Sequence, residues 1–448
     1  MRITEHLTYR KIFRFWGPLA LTWLMMATEQ PFLVSVIARL PDAKFNLAAF
    51  GIAFAFALIV EAPVIMLMSA STALVTDRDS YRKMKRFTDI LNISVVGVQL
   101  ILLIPPVFNF IVQDLMGVPQ NVARLTYIAL ILLILWAPAI GYRRFYQGIL
   151  IRNNLTRRVT YGTLVRLSMI ALVGFGLYIS GIEGAYVGAA TLSIAVFAEA
   201  IASWLMARNT VRRIITDGDL HIQDPDGYNN GEKIGYRFIA RFYTPLALTS
   251  LLSLGVNPFV TFFLGRSQMA IESLAVLPVV NSLVFIFRSM GLSFQEVLIA
   301  LVGDRKQNYP RLRNFAIILG AAVTLILGII AFSPLANVWF VRVSGLTNDL
   351  ADLAYTPLKI MLLLPALSVL LSFQRSTLVV ASTTRPISVA TGIELLTIVL
   401  SLLICIAYFN MVGVMAAAIA YIIGKSASNI YLAPRQVTAV HRWKVRHH

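Results

Sequence analysis

Residues 15–39 read FWGPLALTWLMMATEQPFLVSVIAR, and residues 242–266 read FYTPLALTSLLSLGVNPFVTFFLGR. The two stretches share PLALT letter for letter and align without a gap at an offset of 227 residues, from Phe15 to Phe242. Within PLALT, Pro18 aligns with Pro245 and Thr22 with Thr249; beyond it, Pro31 aligns with Pro258 and Arg39 with Arg266. An apolar segment that recurs with two aligned prolines indicates that the chain contains two copies of one membrane unit.

The same offset of 227 residues continues along the chain. ALVTDR, starting at Ala73, matches ALVGDR, starting at Ala300. Further matches at this offset are Pro138 with Pro365, Gln147 with Gln374, and Arg158 with Arg385, and Gly184 matches Gly413 with two residues of slippage. Six membrane spans are predicted in each copy. Because six is even, the two copies have the same orientation in the membrane, related by an axis along the membrane normal.

The composition is that of a membrane protein. Of the 448 residues, 58% are hydrophobic and 13% are charged, whereas roughly 25% charge is usual in a soluble domain. Apolar runs of about 20 residues, the length that spans a bilayer, recur along the whole chain. Helices are expected to cross the lipid because each span must satisfy its own backbone polar groups. The predicted fold class is an all-α polytopic membrane protein of twelve transmembrane helices in two parallel six-helix repeats.

The net charge of +18 is explained by membrane topology. Lys and Arg collect in alternate loops, as the positive-inside rule requires, so nucleic-acid binding is not expected. This pattern places both termini on the cytoplasmic side of an inner or plasma membrane. We predict a six-helix lobe over 1–207, a cytoplasmic linker over 208–236, a second lobe over 237–434, and a basic tail over 435–448.

The sequence gives no indication of an enzyme. It has no phosphate-binding loop, nucleophile elbow or paired metal motif, and Cys405 is its only cysteine. No cofactor or metal is therefore expected, apart from H⁺ or Na⁺ as a coupling ion. Parallel repeats are typical of transporters that bind a small molecule between their halves. A channel would show a filter loop or a ring of like charges, and a scaffold or scramblase is the non-transport alternative. The protein is expected to act as a monomer.

Ionisable residues at bilayer depth are the first candidates for function, because each costs roughly 2.5 kcal/mol or more. Glu61 lies in the middle of span 2, which is predicted as one helix from about Leu47 to Val75, and Arg288 occupies the equivalent position of span 8. The repeat thus places opposite charges at one pseudo-symmetric position, as a substrate or ion site or as a buried ion pair. Glu199, Glu296, Glu394 and Lys425 are weaker candidates, since each can pair internally.

The second candidate region is the proline kink of spans 1 and 7. Glu29 lies just before Pro31, and Asn257 lies just before Pro258. Because a proline has no N–H, the carbonyl one turn earlier lacks its usual donor. A carboxylate beside such a backbone suits a proton or a cation. The alternative is a kink whose free groups are satisfied by the neighbouring amide side chains.

Polar residues of spans 4, 8 and 10 complete the candidate substrate site. Arginine suits phosphate or carboxylate because its planar fork binds two oxygens, although residues near a span end also reach the interface with their charged groups. The predicted substrate-binding residues are Arg288, Glu61, Asn257, Asn281, Gln374, Arg375, Arg144, Tyr146 and Gln147, and the predicted ion-coupling residues are Glu29 and Glu61.

The sequence resembles the superfamily of multidrug, oligosaccharidyl-lipid and polysaccharide exporters (MOP), which has the MATE fold. GIEGAYVGAA at span 6 and VGVMAAAIA at span 12 are similar to its Gly-x-x-Gly-Ala pattern. The chain is most similar to the progressive ankylosis (ANK) family. The segments that carry this are PLALT in both repeats, Glu29-Gln30, NPFVTFFLGR from Asn257, IESLAVLPVV from Ile271, and QGILIRNN from Gln147.

The resemblance implies a V-shaped pair of six-helix lobes and alternating access. For the ANK family it implies export of small polyanions such as citrate, pyrophosphate or nucleotides. On the anion interpretation, we expect Arg288 to engage the anion and Glu61 and Glu29 to couple its transport to protons or cations. The alternatives are MATE-like efflux of organic cations coupled to protons or sodium, and flipping of a lipid-linked precursor. MATE coupling uses an acidic residue in the first helix, and Glu29 stands there in a different local context.

Overall fold

The computed structural model describes residues 7–153, 155–216, 235–303, 307–381 and 383–445, and nearly all of them are helical. Eleven helical segments of this part are long and apolar enough to cross a membrane. A twelfth span results when the pair on either side of a 72° bend after Leu102 is counted as one. The predicted fold class, an all-helical protein of twelve spans, is confirmed.

The helices of the first repeat are α1 (Tyr9–Ala27), α2 (Glu29–Ile37), α3 (Ala43–Glu61), α4 (Leu67–Leu74), α5 (Arg78–Leu102), α6 (Pro105–Asn109), α7 (Gln120–Leu132), α8 (Trp136–Arg152), α9 (Thr156–Ile179) and α10 (Gly184–Thr216). Those of the second repeat are α11 (Tyr236–Leu254), α12 (Val256–Gly265), α13 (Ala270–Leu301), α14 (Tyr309–Phe332), α15 (Leu335–Asn337), α16 (Asn348–Ile360), α17 (Leu364–Val380), α18 (Arg385–Leu403) and α19 (Gly413–Val445). Short π-helical turns follow α6, α15 and α18.

Spans 1 and 7 are both interrupted, and proline explains the position of each break. α1 ends at Ala27, four residues before Pro31, and α11 ends at Leu254, four residues before Pro258. A proline has no N–H to donate to the carbonyl four residues earlier, so the helical ladder stops there. The breaks therefore recur at equivalent positions of the two repeats.

Span 2 is interrupted only in the first repeat. α3 ends at Glu61 and α4 begins at Leu67, and Pro63 lies in the intervening turn. Pro63 leaves the Ile59 carbonyl without its helical donor, and the Val64 N–H bonds to the Glu61 carbonyl at 2.9 Å. The equivalent helix, α13, runs unbroken for 32 residues despite Pro278. The continuous span predicted from Leu47 to Val75 was therefore wrong.

Cα packing groups the chain into two compact units. A terminal unit comprises Met1–Gly51 with Phe259–His448, and a central unit comprises Ile52–Pro258. The predicted domain limits follow chain order. In the structure, by contrast, span 1 is grouped with the second half of the chain and most of span 7 with the first half. α10 continues to Thr216, inside the predicted linker, and residues 217–234 lie outside the described part. The predicted tail begins within α19, which continues past Pro434.

Equivalent aromatic residues anchor these two exchanged spans. In the terminal unit, Trp16 of α1 donates from Nε1 to Ser293 Oγ at 2.8 Å and more weakly to the Met290 carbonyl at 3.4 Å. In the central unit, Tyr243 of α11 donates its hydroxyl to the Pro63 carbonyl. Trp16 and Tyr243 are repeat mates, as are Pro63 and Met290. Each anchor thus joins an aromatic residue of the first span of one repeat to the carbonyl at the equivalent position of the second span of the other repeat.

Replacing Tyr243 with phenylalanine is expected to destabilise the protein by about 1 kcal/mol, because the Pro63 carbonyl loses its side-chain donor. Thermal unfolding followed by size-exclusion chromatography of the detergent-solubilised protein would measure the effect. The matched control is Tyr236→Phe, since Tyr236 is 46% exposed at the start of α11. Equal stability of the two variants would show that the hydroxyl of Tyr243 does not anchor α11.

Candidate functional site

The kinks of spans 1 and 7 hold the first two predicted residues. Glu29 is half-buried in the first turn of α2, where the positive end of the helix dipole favours a carboxylate. Asn257 donates from Nδ2 to the Leu254 carbonyl at 3.5 Å, which is the carbonyl that Pro258 deprives of its helical donor. The amide of Asn257 thus partly satisfies the kink, as one of the two sequence interpretations predicted.

The interior of the central unit contains an ionic cluster centred on Glu199 of α10. The Glu199 carboxylate accepts from Arg143 Nη1 at 2.5 Å and from Gln147 Nε2 at 3.2 Å, and it lies 3.4 Å from Arg166 Nη1. Glu199 is 1% exposed and both arginines are buried. Since charges are costly to bury unless they are paired and hydrogen-bonded, Glu199 neutralises part of this interior and holds α8, α9 and α10 together.

Glu61 and Arg144 lie in the same unit but differ from this cluster in their bonding. Glu61 is 5% exposed. Its carboxylate experiences the charges of Arg143, Arg144 and Arg166 without a hydrogen bond or ion pair to any residue in the described ranges. Within the described ranges, the acceptor of Arg144 Nη1 is the thioether sulfur of Met68, at 3.7 Å. Both residues therefore retain unused capacity for a ligand.

The predicted residue Tyr146 occupies a different environment. It is 7% exposed, and its ring packs against that of Phe145 with the centroids 5.2 Å apart. Its hydroxyl interacts with that of Tyr81 on α5. In this structure Tyr146 contributes to the packing between α5 and α8.

The terminal unit has its own interior cluster, formed by α13, α17, α18 and α19. Arg288 Nε donates to Ser368 Oγ at 3.2 Å, and Arg375 Nη2 donates to Thr391 Oγ1 at 3.2 Å. Lys425 Nζ forms an ion pair with the Glu394 carboxylate, which also experiences the charges of Arg288 and Arg375. This terminal cation cluster (Arg288, Arg375 and Lys425 around Glu394) has three cations and one carboxylate.

The remaining predicted amides adjoin this cluster. Gln374 Nε2 donates to the Asn429 carbonyl at 3.1 Å, and Gln374 Oε1 is buried with no donor in the described part of the chain. Asn281 interacts with the Tyr421 hydroxyl. The structure thus places four of the predicted residues, Arg288, Arg375, Gln374 and Asn281, on elements that meet in one unit. Glu61 belongs to the central unit, with surroundings of its own.

Each unit contains an ion pair between the fifth and sixth spans of its repeat, and the acidic and basic residues have exchanged helices between the two repeats. In the first repeat the base is Arg166 on α9 and the acid is Glu199 on α10. In the second repeat the acid is Glu394 on α18 and the base is Lys425 on α19. Glu199, Glu394 and Lys425 do pair internally, as the sequence suggested. Arg166 was missed, although a charge within the apolar span 5 was the available signal.

No family model matches the chain, and no curated protein matches it in sequence. Solved structures match it over nearly its whole length at low identity. An inward-facing multidrug-resistance MATE transporter of the MOP superfamily matches with a TM-score of 0.67 and 15% identity, over 95% of this chain and 98% of that one. A MOP transporter from Pyrococcus furiosus, described as having a binding pocket of reverse polarity, matches with a TM-score of 0.63 and 16% identity, over 98% and 100%. The lipid II flippase MurJ matches with a TM-score of 0.65 and 14% identity, over 95% and 91%.

These matches define the class of the fold. The chain has the fold of the MATE transporters of the MOP superfamily, as its sequence predicted. The matched proteins are transporters and a flippase rather than enzymes. The particular resemblance to the ANK family stays a prediction.

Proposed function

We propose that this protein is a secondary active exporter of small organic or phosphorylated anions that works by alternating access. It would act as a monomer in an inner or plasma membrane, with both termini in the cytoplasm. Its fold is shared with transporters. The observation that carries the anion assignment is the terminal cation cluster, in which three cations surround one carboxylate.

The charge of this cluster favours an anion for a physical reason. Uncompensated cations inside a membrane protein are costly, and a bound anion removes part of that cost. Arg288 and Arg375 each bond to one hydroxyl in this structure, while a guanidinium has five N–H donors and suits the paired oxygens of carboxylate or phosphate. Citrate, pyrophosphate and nucleotides carry such groups. Gln374 and Asn281 would contribute neutral hydrogen bonds.

Glu29 and Glu61 are the proposed coupling residues, with H⁺ or Na⁺ as the ion. Each carboxylate stands beside a broken span, and irregular backbone at membrane depth commonly lines ion sites in transporters. Asn257 would contribute at the corresponding kink of span 7. Coupling at these positions is separate from the anion contact at Arg288, so the two roles are testable independently.

The main alternative is efflux of organic cations, and the unpaired carboxylate of Glu61 is the observation that favours it. A MATE-like pump would bind the cation directly at Glu29 and Glu61. Flipping of a lipid-linked precursor is a further alternative, because MurJ shares the fold. Such a flippase would need a lateral opening toward lipid, and its transport would not depend on soluble anions.

Transport by purified protein in liposomes distinguishes these proposals. Labelled citrate, pyrophosphate and ATP would be tested in turn against a fluorescent organic cation, with and without gradients of H⁺ and Na⁺. Arg288→Ala is expected to reduce anion flux by about tenfold or more, the effect of losing a charged hydrogen bond. The control is Arg313→Ala, which removes an exposed arginine of the same unit. Cation flux that follows the gradient, with no anion flux, would overturn the anion proposal.

A further inference from the structure

The interruption of span 2 creates two helix ends of opposite polarity inside the central unit. α3 presents its C-terminal end at Glu61, and α4 presents its N-terminal end at Leu67. The C-terminal end of a helix carries a partial negative charge and the N-terminal end a partial positive charge. Discontinuous helices in transporters use such ends to hold anions and cations. Because α13 is continuous, this arrangement is confined to the first repeat.

One face of α8 follows α4 along its length. Arg152 caps the C-terminal end of α4, donating from Nη1 to the Thr72 carbonyl at 2.8 Å and the Ala73 carbonyl at 3.1 Å. One turn earlier, the Gly148 carbonyl accepts from Thr72 Oγ1 at 3.2 Å. Arg144 lies a further turn back and reaches Met68 in the first turn of α4. Residues at this four-residue spacing share one helix face, so Arg144 meets the N-terminal end of α4.

Of Arg143, Arg144 and Arg166, Arg144 is the one that has no anionic partner among the residues described by the structure. Arg143 and Arg166 both contact Glu199, whereas a thioether sulfur, a weak acceptor, is the partner of Arg144 Nη1. Arg144 Nε is buried and has no acceptor among the described residues. The side chain as a whole is half-buried. A buried donor without an acceptor requires an explanation.

Glu61 supplies the second independent observation. Its carboxylate is at the negative end of α3, where the helix dipole disfavours an anion. Glu61 and Arg144 interact electrostatically, but no ion pair within 4 Å joins them in the described part of the chain. Glu61 therefore does not occupy the N–H donors of Arg144.

We propose that Arg144 and the first turn of α4 form a second anion subsite, which takes a carboxylate or phosphate group, and that the charge of Glu61 weakens its occupancy. The subsite deepens the proposed anion transport and rests on it. It lies wholly within the central unit, apart from the cluster around Arg288. Any neutralisation of Glu61 would strengthen anion binding at Arg144, which gives a direct link between a coupling ion and the substrate.

The test is equilibrium binding of radiolabelled pyrophosphate and citrate to the full-length protein in nanodiscs of uncharged lipid. The wild type is expected to bind two anions per chain, and Arg144→Gln one. Glu61→Gln should keep both sites and tighten the Arg144-dependent one by about fivefold or more, because it removes a nearby like charge. Arg144→Lys should retain part of the affinity. The control Arg157→Gln, at an exposed arginine, should leave binding unchanged.

Opposite effects of Arg144→Gln and Glu61→Gln are not explained by misfolding, which would weaken binding in both variants. Wild-type stoichiometry and affinity in Arg144→Gln, or weaker binding in Glu61→Gln, would overturn the subsite while leaving the proposed function in place. Absence of anion binding by the wild type would overturn both.

Discussion

Replacing Glu199 with leucine is expected to destabilise the protein by about 3–5 kcal/mol, because it leaves buried arginine charges without their carboxylate. Glu199 is 1% exposed and contacts Arg143 at 2.5 Å and Arg166 at 3.4 Å. The loss would appear as a lower unfolding temperature and a smaller folded fraction after solubilisation. This prediction has the largest expected effect on stability, since one carboxylate contacts two buried cations.

The control for this prediction is Asp79→Asn. Asp79 pairs with Lys83 at 2.5 Å on the surface of α5, and its side chain is 62% exposed, so its loss should cost less than about 1 kcal/mol. Removing Arg143 together with Glu199 should cost less than the sum of the single replacements, because their effects are coupled. A Glu199→Leu variant as stable as Asp79→Asn would show that the buried cluster is not needed for folding.

Replacing Gly148 with alanine is expected to cost about 1–3 kcal/mol or more and to displace α4 from α8. A Cβ atom at Gly148 would lie 1.8 Å from Ser71 Oγ, 2.4 Å from the Met68 carbonyl and 3.0 Å from the Thr72 nitrogen. Two of these three atoms belong to backbone and do not move cheaply. The replacement should therefore also weaken anion binding at Arg144, which lies one turn away.

The comparison variant is Gly97→Ala in α5, where nothing lies within 4 Å of an added Cβ. There alanine should stabilise the helix by about 0.5–1 kcal/mol, because glycine loses more backbone entropy on folding. Thermal unfolding of the two variants, together with anion binding, would measure both effects. If Gly148→Ala proved as stable as Gly97→Ala, the close approach of α4 and α8 would be disproved.

Glu61 illustrates how far the candidate site is predictable. Its depth within an apolar span and its repeat relation to Arg288 identified it from sequence alone. The interruption after it was missed, because Pro63 and Pro278 look alike in sequence whereas only the first breaks its helix. Whether a proline breaks or is accommodated depends on the neighbours that satisfy the freed carbonyl. The carbonyl that Pro63 frees is that of Ile59, whereas the hydroxyl of Tyr243 donates to the carbonyl of Pro63 itself.

Arg143 and Arg144 illustrate the same limit for side-chain roles. They are adjacent in an apolar span, and sequence alone does not tell a structural ion pair from a ligand contact. The structure distinguishes them, since Arg143 faces Glu199 and Arg144 faces the start of α4. The partner of each depends on the direction of its side chain around α8, and residues adjacent in a helix point to different neighbours.

The sequence by itself determined that this is a twelve-span membrane protein built from two copies of one unit, with proline kinks near Pro31 and Pro258. Those features depend on hydrophobic length, on an internal repeat and on the missing proline N–H, and each of these is visible in the sequence without knowledge of tertiary contacts. Only the tertiary structure decided that Glu199 pairs with Arg143 and Arg166 and that Glu394 pairs with Lys425. It also decided that Arg144 and Glu61 form no ion pair with any residue that the structure describes. Ion pairing at short range depends on the approach of separate helices, and that approach is set by packing between residues far apart in the chain.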